Sequence, residues 1–160
     1  MSLSKEDLKN DFLEKIMNGK LDTIEKTAET WTEVYCDYLI NGITSYGVPI
    51  VEISSIAKTS LKNNLISSFG TISPGIITFE SNINDCFSSF LTGLGLTGLG
   101  NIIFAVTTST IVGVDGFINF SNITQDNKKE ATDDITSMLD IYTRTVRVSD
   151  SSSGATGYLV

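Results

Sequence analysis

The sequence predicts an α+β fold: amphipathic N-terminal helices, a small antiparallel sheet from the Gly/Thr-rich centre, a C-terminal helix and an extended C-terminal arm. Three observations predict it. Apolar residues recur at helical spacing near both ends of the chain. Between them, residues 101–120 are dense in Ile, Val, Phe and Thr and are broken by Gly113 and Gly116, as expected of one or two strands. Residues 149–160 are small and polar until Tyr158, Leu159 and Val160. The expected organisation is one domain over residues 1–148 and an arm over 149–160.

Taken in order, Ser4 followed by Asp7 resembles a capping box, and Leu8, Phe12 and Ile16 repeat every four residues before Gly19 closes the helix. A second helix starts at Asp22. Its apolar stripe is Ile24, Ala28, Trp31, Tyr35, Tyr38 and Leu39, while Glu25, Lys26, Glu29 and Glu33 lie off that stripe, and Asn41-Gly42 ends it. Residues 43–53 read as extended, with Pro49 at an edge or in a loop. A third helix is expected over about Ser55 to Ser68, a turn at Ser73-Pro74-Gly75, and a short fourth helix after Thr78 carrying Ile83, Phe87, Phe90 and Leu91. Residues 93–100 hold too much glycine for a stable helix. A last helix begins at Asp126, with Ala131, Ile135, Met138, Leu139 and Tyr142 on its dry face, and residues 145–148 alternate like a strand. A weak echo links Ser67-Ser68-Phe69 to Ser88-Ser89-Phe90, each followed by an Ile-Ile segment read as a strand, at Ile76 and at Ile102.

Charge is unevenly placed. Of the thirty charged residues (11 basic, 19 acidic), residues 1–40 hold fourteen and residues 126–160 hold ten. Residues 41–125 hold six: Glu52, Lys58, Lys62, Glu80, Asp85 and Asp115. The net charge of -8 leaves no basic footprint for nucleic acid and no polybasic stretch for anionic lipid. The N-terminus lacks a basic region followed by an apolar run, which points to cytoplasmic synthesis without export. Two sparse cysteines, Cys36 and Cys86, read as reduced thiols rather than a disulfide.

The residue types exclude much chemistry. With no histidine, the commonest general base and metal ligand is missing, along with Ser/His and Cys/His nucleophile systems. Two distant cysteines make no zinc site. Asp133, Asp134 and Asp37 are candidate acids, but they fall on polar helix faces, where nothing raises a pKa. Gly93, Gly95 and Gly98 spell a dinucleotide fingerprint with Asp115 twenty residues past Gly95. That motif requires a strand before it and a helix after it, the reverse of the order read here. Trp31, Tyr35 and Tyr38 could stack on a ligand but share one helical stripe, as core residues do. No catalytic, cofactor or metal residue is expected, and the chain is read as no enzyme.

The charge-free run 86–114 is long enough to span a membrane, yet it contains five glycines and passes from helical to β character. The first expectation is that it packs against another subunit, through Leu94, Leu96, Leu99, Ile102, Phe104, Val106, Ile111 and Val112, with strand addition across open sheet edges. Tyr158, Leu159 and Val160 would anchor the arm on a neighbour. The alternative is a pore-forming or membrane-associated protein using the same run. Together, the amphipathic helical start, the Gly/Thr/Ser-rich apolar centre, the missing histidine and the polar arm resemble small virion proteins of tailed bacteriophages, which form rings at the neck or tail. The resemblance covers the whole chain as composition and rests on no motif. It implies a non-enzymatic homo-oligomeric subunit, located in the virion, that bridges other virion structural proteins and contacts neither nucleic acid nor a small-molecule substrate.

Overall fold

Ser4 opens the first helix. Its hydroxyl oxygen accepts the Asp7 backbone N–H at 3.2 Å, satisfying one of the orphan donors of α1 (Lys5–Asp11). The helix then widens into a π-helical stretch, Phe12–Met17, which ends where the Asn18 N–H reaches the Leu13 carbonyl at 2.9 Å. Thr23 caps α2 (Ile24–Ile40) through the Lys26 N–H at 3.1 Å, so this helix begins after Asp22. Among the described residues three more helices follow: α3 (Ser55–Gly70), α4 (Ile76–Thr92) and α5 (Lys128–Thr145). The structure, a computed structural model, describes residues 2–70, 76–92, 96–100, 102–107 and 128–160. The strand expected beyond residue 107, the turn at 73–75 and the helix start at Asp126 lie outside them.

The strands β1 (Ile50–Ile53), β2 (Leu96–Gly98), β3 (Ile102–Thr107), β4 (Arg147–Asp150) and β5 (Thr156–Tyr158) form one antiparallel sheet in chain order. The fold is α+β, and part of its sheet comes from the Gly/Thr-rich centre as expected. The sheet has two unlike ends. At one end strands meet helices: β1 runs into α3, β2 follows α4, and α5 runs into β4, with Ile53 opposite Leu96 and Thr107 opposite Arg147. At the other end, among the described residues, the chain turns at Leu99 and Gly100 and between Asp150 and Thr156.

Three expectations are corrected. First, residues 149–160, expected as an extended arm anchored on a neighbour, are paired within their own chain. β5 pairs with β4, the Val160 N–H donates to the Ile43 carbonyl at 2.8 Å, and the Leu3 N–H donates to the Val160 carbonyl at 2.9 Å. The apolar end is drawn in because burying Leu159 removes it from water. Second, the outer edge of β5 is not open to a neighbour's strand. Residues 43–45 occupy it, with a bridge from Thr44 to Leu159 and a second bridge from Ile43 to Pro49, which curls the sheet toward closure. Third, the Ile-Ile segment at Ile76, read as a strand, is the first turn of α4, whereas its supposed echo at Ile102 is β3. The preference of Ile and Thr for strands is weak and yields to tertiary context.

A single core joins the helices to the sheet. Phe12, Phe69 and Phe87 surround Trp31, with Phe12 and Phe69 edge-on at 4.9 and 5.5 Å, and Tyr35 meets Phe87 edge-on at 5.0 Å. The aromatic stripe of α2 is therefore core, not a stacking platform. Its polar tips are satisfied across α5: the Tyr35 hydroxyl and Thr143 Oγ1 lie 2.6 Å apart, and the Tyr38 hydroxyl donates to Asp140. The exposed face of α2 is narrow and acidic, carrying Glu25, Glu29, Glu33 and Asp37, and Lys62 of α3 pairs with Glu29 at 3.2 Å.

Candidate functional site: three hairpin tips at one end of the sheet

Three turns project from the end of the sheet opposite its junctions with α3, α4 and α5, and each is cornered by a glycine with positive φ: Gly47 (+89°), Gly100 (+89°) and Gly154 (+73°). These are the positive-φ glycines among the described residues. An L side chain rarely adopts that backbone, which is why glycine stands at each corner. In the first tip the Thr44 N–H donates to the Val48 carbonyl at 2.9 Å, and the Gly47 N–H donates to the Thr44 carbonyl at 2.8 Å. Thr44 Oγ1 accepts the Val48 N–H at 2.9 Å. In the second, Gly98 pairs with Ile102, and the Leu99 N–H donates to the Pro49 carbonyl at 3.0 Å, which ties this tip to the first.

The third tip is organised by Asp150. Its carboxylate accepts the Ser152 N–H at 2.8 Å and the Ser152 and Ser153 hydroxyls at 2.7 Å. The Ser153 and Ser152 hydroxyls, followed by their backbone N–H groups, hold the Asp150 carboxyl down to about 2. The Asp150 N–H donates to Ala155 and its carbonyl accepts from Gly154, closing the hairpin. The third tip also meets the first. The Ser45 N–H donates to the Tyr158 carbonyl at 2.7 Å, the Tyr158 N–H donates to Ser45 Oγ at 3.0 Å, and Gly157 leaves no room for a Cβ against Ser45.

The result is a continuous rim of Ser45, Tyr46, Gly47, Leu99, Gly100 and residues 151–154. It carries no exposed charge on a chain of net charge -8. Asp150 is inward and spent on its own turn. Leu99 stands out at the second tip with 64% of its surface exposed. A rim of Ser, Gly, Tyr and Leu on braced loops suits contact with another protein surface, because it offers apolar area and adaptable hydrogen bonds without long side chains to order.

Of the residues expected at an inter-subunit contact, the structure brings Leu99 and Tyr158 to the surface, with Tyr158 beneath the Arg147 guanidinium at 5.8 Å. Leu96 and Leu159 are corrected: both are fully buried in the core of their own chain, where burial removes their apolar surface from water. Val160 is half-buried and its backbone is engaged. Ile102, Phe104 and Val106 lie in β3, paired on both sides through the backbone. Leu94, Ile111 and Val112 lie outside the described residues. The tips at residues 45–48 and 151–154 were not expected at the site; Tyr46-Gly47 and Ser153-Gly154 were the available turn signals.

Gly98 of the glycine fingerprint ends β2, between α4 and β3, the reverse of the strand-then-helix order the motif requires, while Gly93, Gly95 and Asp115 lie outside the described residues. Asp133 is paired with Lys9 at 2.9 Å, which holds its carboxyl below the usual range, and Asp37 and Asp134 are exposed. Among the described residues no group of three or more Cys, Asp or Glu is placed to hold a metal ion. Cys36 and Cys86 are unpaired and buried, and burial pushes the Cys36 thiol up to about 12. The described part of residues 86–114 is divided among α4, β2 and β3, and among the described residues no helix is long and apolar enough to cross a membrane. Comparisons with protein-family models, with curated proteins and with solved structures give no match to this chain.

Proposed function

We propose that this chain is a non-enzymatic structural subunit that joins other protein through the tip end of its sheet, and that its place is a neck or tail ring of a bacteriophage virion. One observation carries the docking reading. An acidic chain presents an uncharged rim of three braced tips, with Leu99 exposed at its crest. Interfaces of this kind are depleted of charge at their centre and gain from loops that are already ordered. The virion placement is the finer part of the proposal and rests on the composition of the chain. In this reading the helices set the spacing of subunits and the rim makes the contact.

The test has two arms. Light scattering on the purified chain over a range of concentrations reads self-association or complex formation, with Leu99→Asp as the control for the rim. Gold labelling of a tagged chain on purified particles reads its position. Assembly lost in Leu99→Asp, and label at one end of the particle, are the expected results. A chain absent from particles and indifferent to Leu99→Asp in every complex it forms would overturn the proposal.

A further inference from the structure

Two Asn-Gly pairs stand at the ends of helices in this chain, Asn18-Gly19 after the π-helical stretch and Asn41-Gly42 after α2. Such a pair is chemically reactive in water. The glycine nitrogen can attack the asparagine Cγ, because glycine carries no side chain to stand in the way. The Cγ–Nδ2 bond breaks and ammonia leaves with the glycine amide proton, which leaves a succinimide ring. Water then opens the ring, at Cγ to give aspartate or at the main-chain carbonyl to give isoaspartate. The attack needs the glycine N–H released and the asparagine ψ turned, since both asparagines leave their helices near zero, at −3° for Asn18 and −6° for Asn41. The two sites differ in what resists that turn.

At Asn41 several bonds resist it. Its Nδ2 donates to the Asp37 carbonyl at 3.0 Å, the Gly42 N–H donates to the Leu39 carbonyl at 3.0 Å, and the Gly42 carbonyl accepts the Ile50 N–H at 3.0 Å. Gly42 is also buried, with Leu3 so close over it that a Cβ would lie 2.8 Å from Leu3 Cδ2. Turning ψ there breaks these bonds and pulls Gly42 away from the start of β1. At the other pair, Asn18 and Gly19 are both exposed, and among the described residues neither the Asn18 side-chain amide nor the Gly19 N–H makes a hydrogen bond. Glycine is still required at that position, because a Cβ would run into the Lys15 carbonyl. We infer that Asn18 is a hydrolytic modification site of the folded chain, with water as the co-reactant, and that the fold protects Asn41. This goes beyond the subunit reading and does not depend on it. The product carries a new carboxylate just past the C-terminal end of a helix, where the macrodipole disfavours it, in the exposed stretch 18–20. The folded chain therefore ages into a more acidic form.

The test incubates the full chain in warm, mildly alkaline buffer, folded and in urea, and reads residues 18 and 41 separately by peptide mass spectrometry. In urea both pairs convert at similar rates. In the folded chain Asn18 converts, while Asn41 is slower than Asn18 by on the order of 100-fold, the factor that breaking two or three hydrogen bonds imposes on opening. Anion exchange resolves the new acidic form, and circular dichroism shows it to be folded. Asn18→Gln, a change at an exposed position, does not give that form. Asn18 left intact in the folded chain would overturn the inference. So would Asn41 converting as fast as Asn18 in the folded chain, or Asn18→Gln yielding as much of the acidic form as the unaltered chain.

Discussion

The hydroxyl of Tyr38 on α2 donates to Asp140 Oδ1 on α5 at 2.6 Å, across 102 residues of sequence. Asp140 is shared. Arg144 Nε lies 3.0 Å from both of its oxygens, and Arg144 Nη2 donates to the Leu3 carbonyl at 2.7 Å. One buried carboxylate therefore connects α2, α5 and the N-terminal segment, which in turn holds the last strand through the Leu3 N–H and the Val160 carbonyl. Tyr38→Phe leaves Asp140 its arginine partner and is expected to lower unfolding stability by about 1.5–3 kcal/mol, the range for a hydrogen bond to a charged group. Asp140→Ala costs more, because it strands the buried Tyr38 hydroxyl and the Arg144 side chain together. Urea unfolding of both single variants and the double variant measures the coupling.

The glycine corners set the shape of the tips. Gly47, Gly100 and Gly154 each have open space where a Cβ would stand, so an alanine there meets only backbone strain. Each Gly→Ala change is expected to cost about 1–2 kcal/mol, the penalty of a left-handed conformation for an L residue. Gly157→Ala, at a position without positive φ, is expected to cost more than any of them, because its new methyl collides with Ser45 Oγ and presses on the Tyr46 ring. Thermal unfolding of the four variants gives the order.

Asp150 gives the third tip a pH dependence of known sign. Its folded pKa lies at about 2, below the ordinary 3.8. The stabilisation is complete above the ordinary value and is lost as pH falls from 3.8 toward about 2. Unfolding temperatures measured down through that window should fall more steeply for the unaltered chain than for Asp150→Asn. Parallel slopes would show that the carboxylate contributes nothing to the fold.

The last strand is part of the core rather than an appendage. A chain ending at Arg147 is expected to lose cooperative unfolding, since it lacks β5, most of β4 and Leu159 together. The milder Leu159→Ala is expected to cost about 2–5 kcal/mol, as for other buried leucines. Circular dichroism during thermal unfolding reads both.

Both cysteines should be inert in the folded chain. Burial raises each thiol, and Cys86 also shares a hydrogen bond of 3.2 Å with Ser68. A thiol reagent is expected to label them only at the rate of unfolding, and rapid labelling of the native chain would contradict their placement.

Much of the helical half could be read from residue order, because helix formation rests on local spacing. Ser4 announces where the first helix starts, and the Trp31/Tyr35/Tyr38 stripe and the Ala131/Ile135/Leu139 face announce which side is buried before any partner is known. The strand character of residues 102–107 and 147–148 was legible for the same reason. Pairing was not legible. Whether Leu159 reaches a neighbour or its own core depends on residues 43–45 lying beside it, more than a hundred positions away. No local pattern encodes that closure, because the free energy of a strand edge is set by what covers it. The same holds for the site. Gly47, Gly100 and Gly154 are unremarked turn residues in the chain, and they become one rim only when the antiparallel register brings three hairpins to the same end of the sheet.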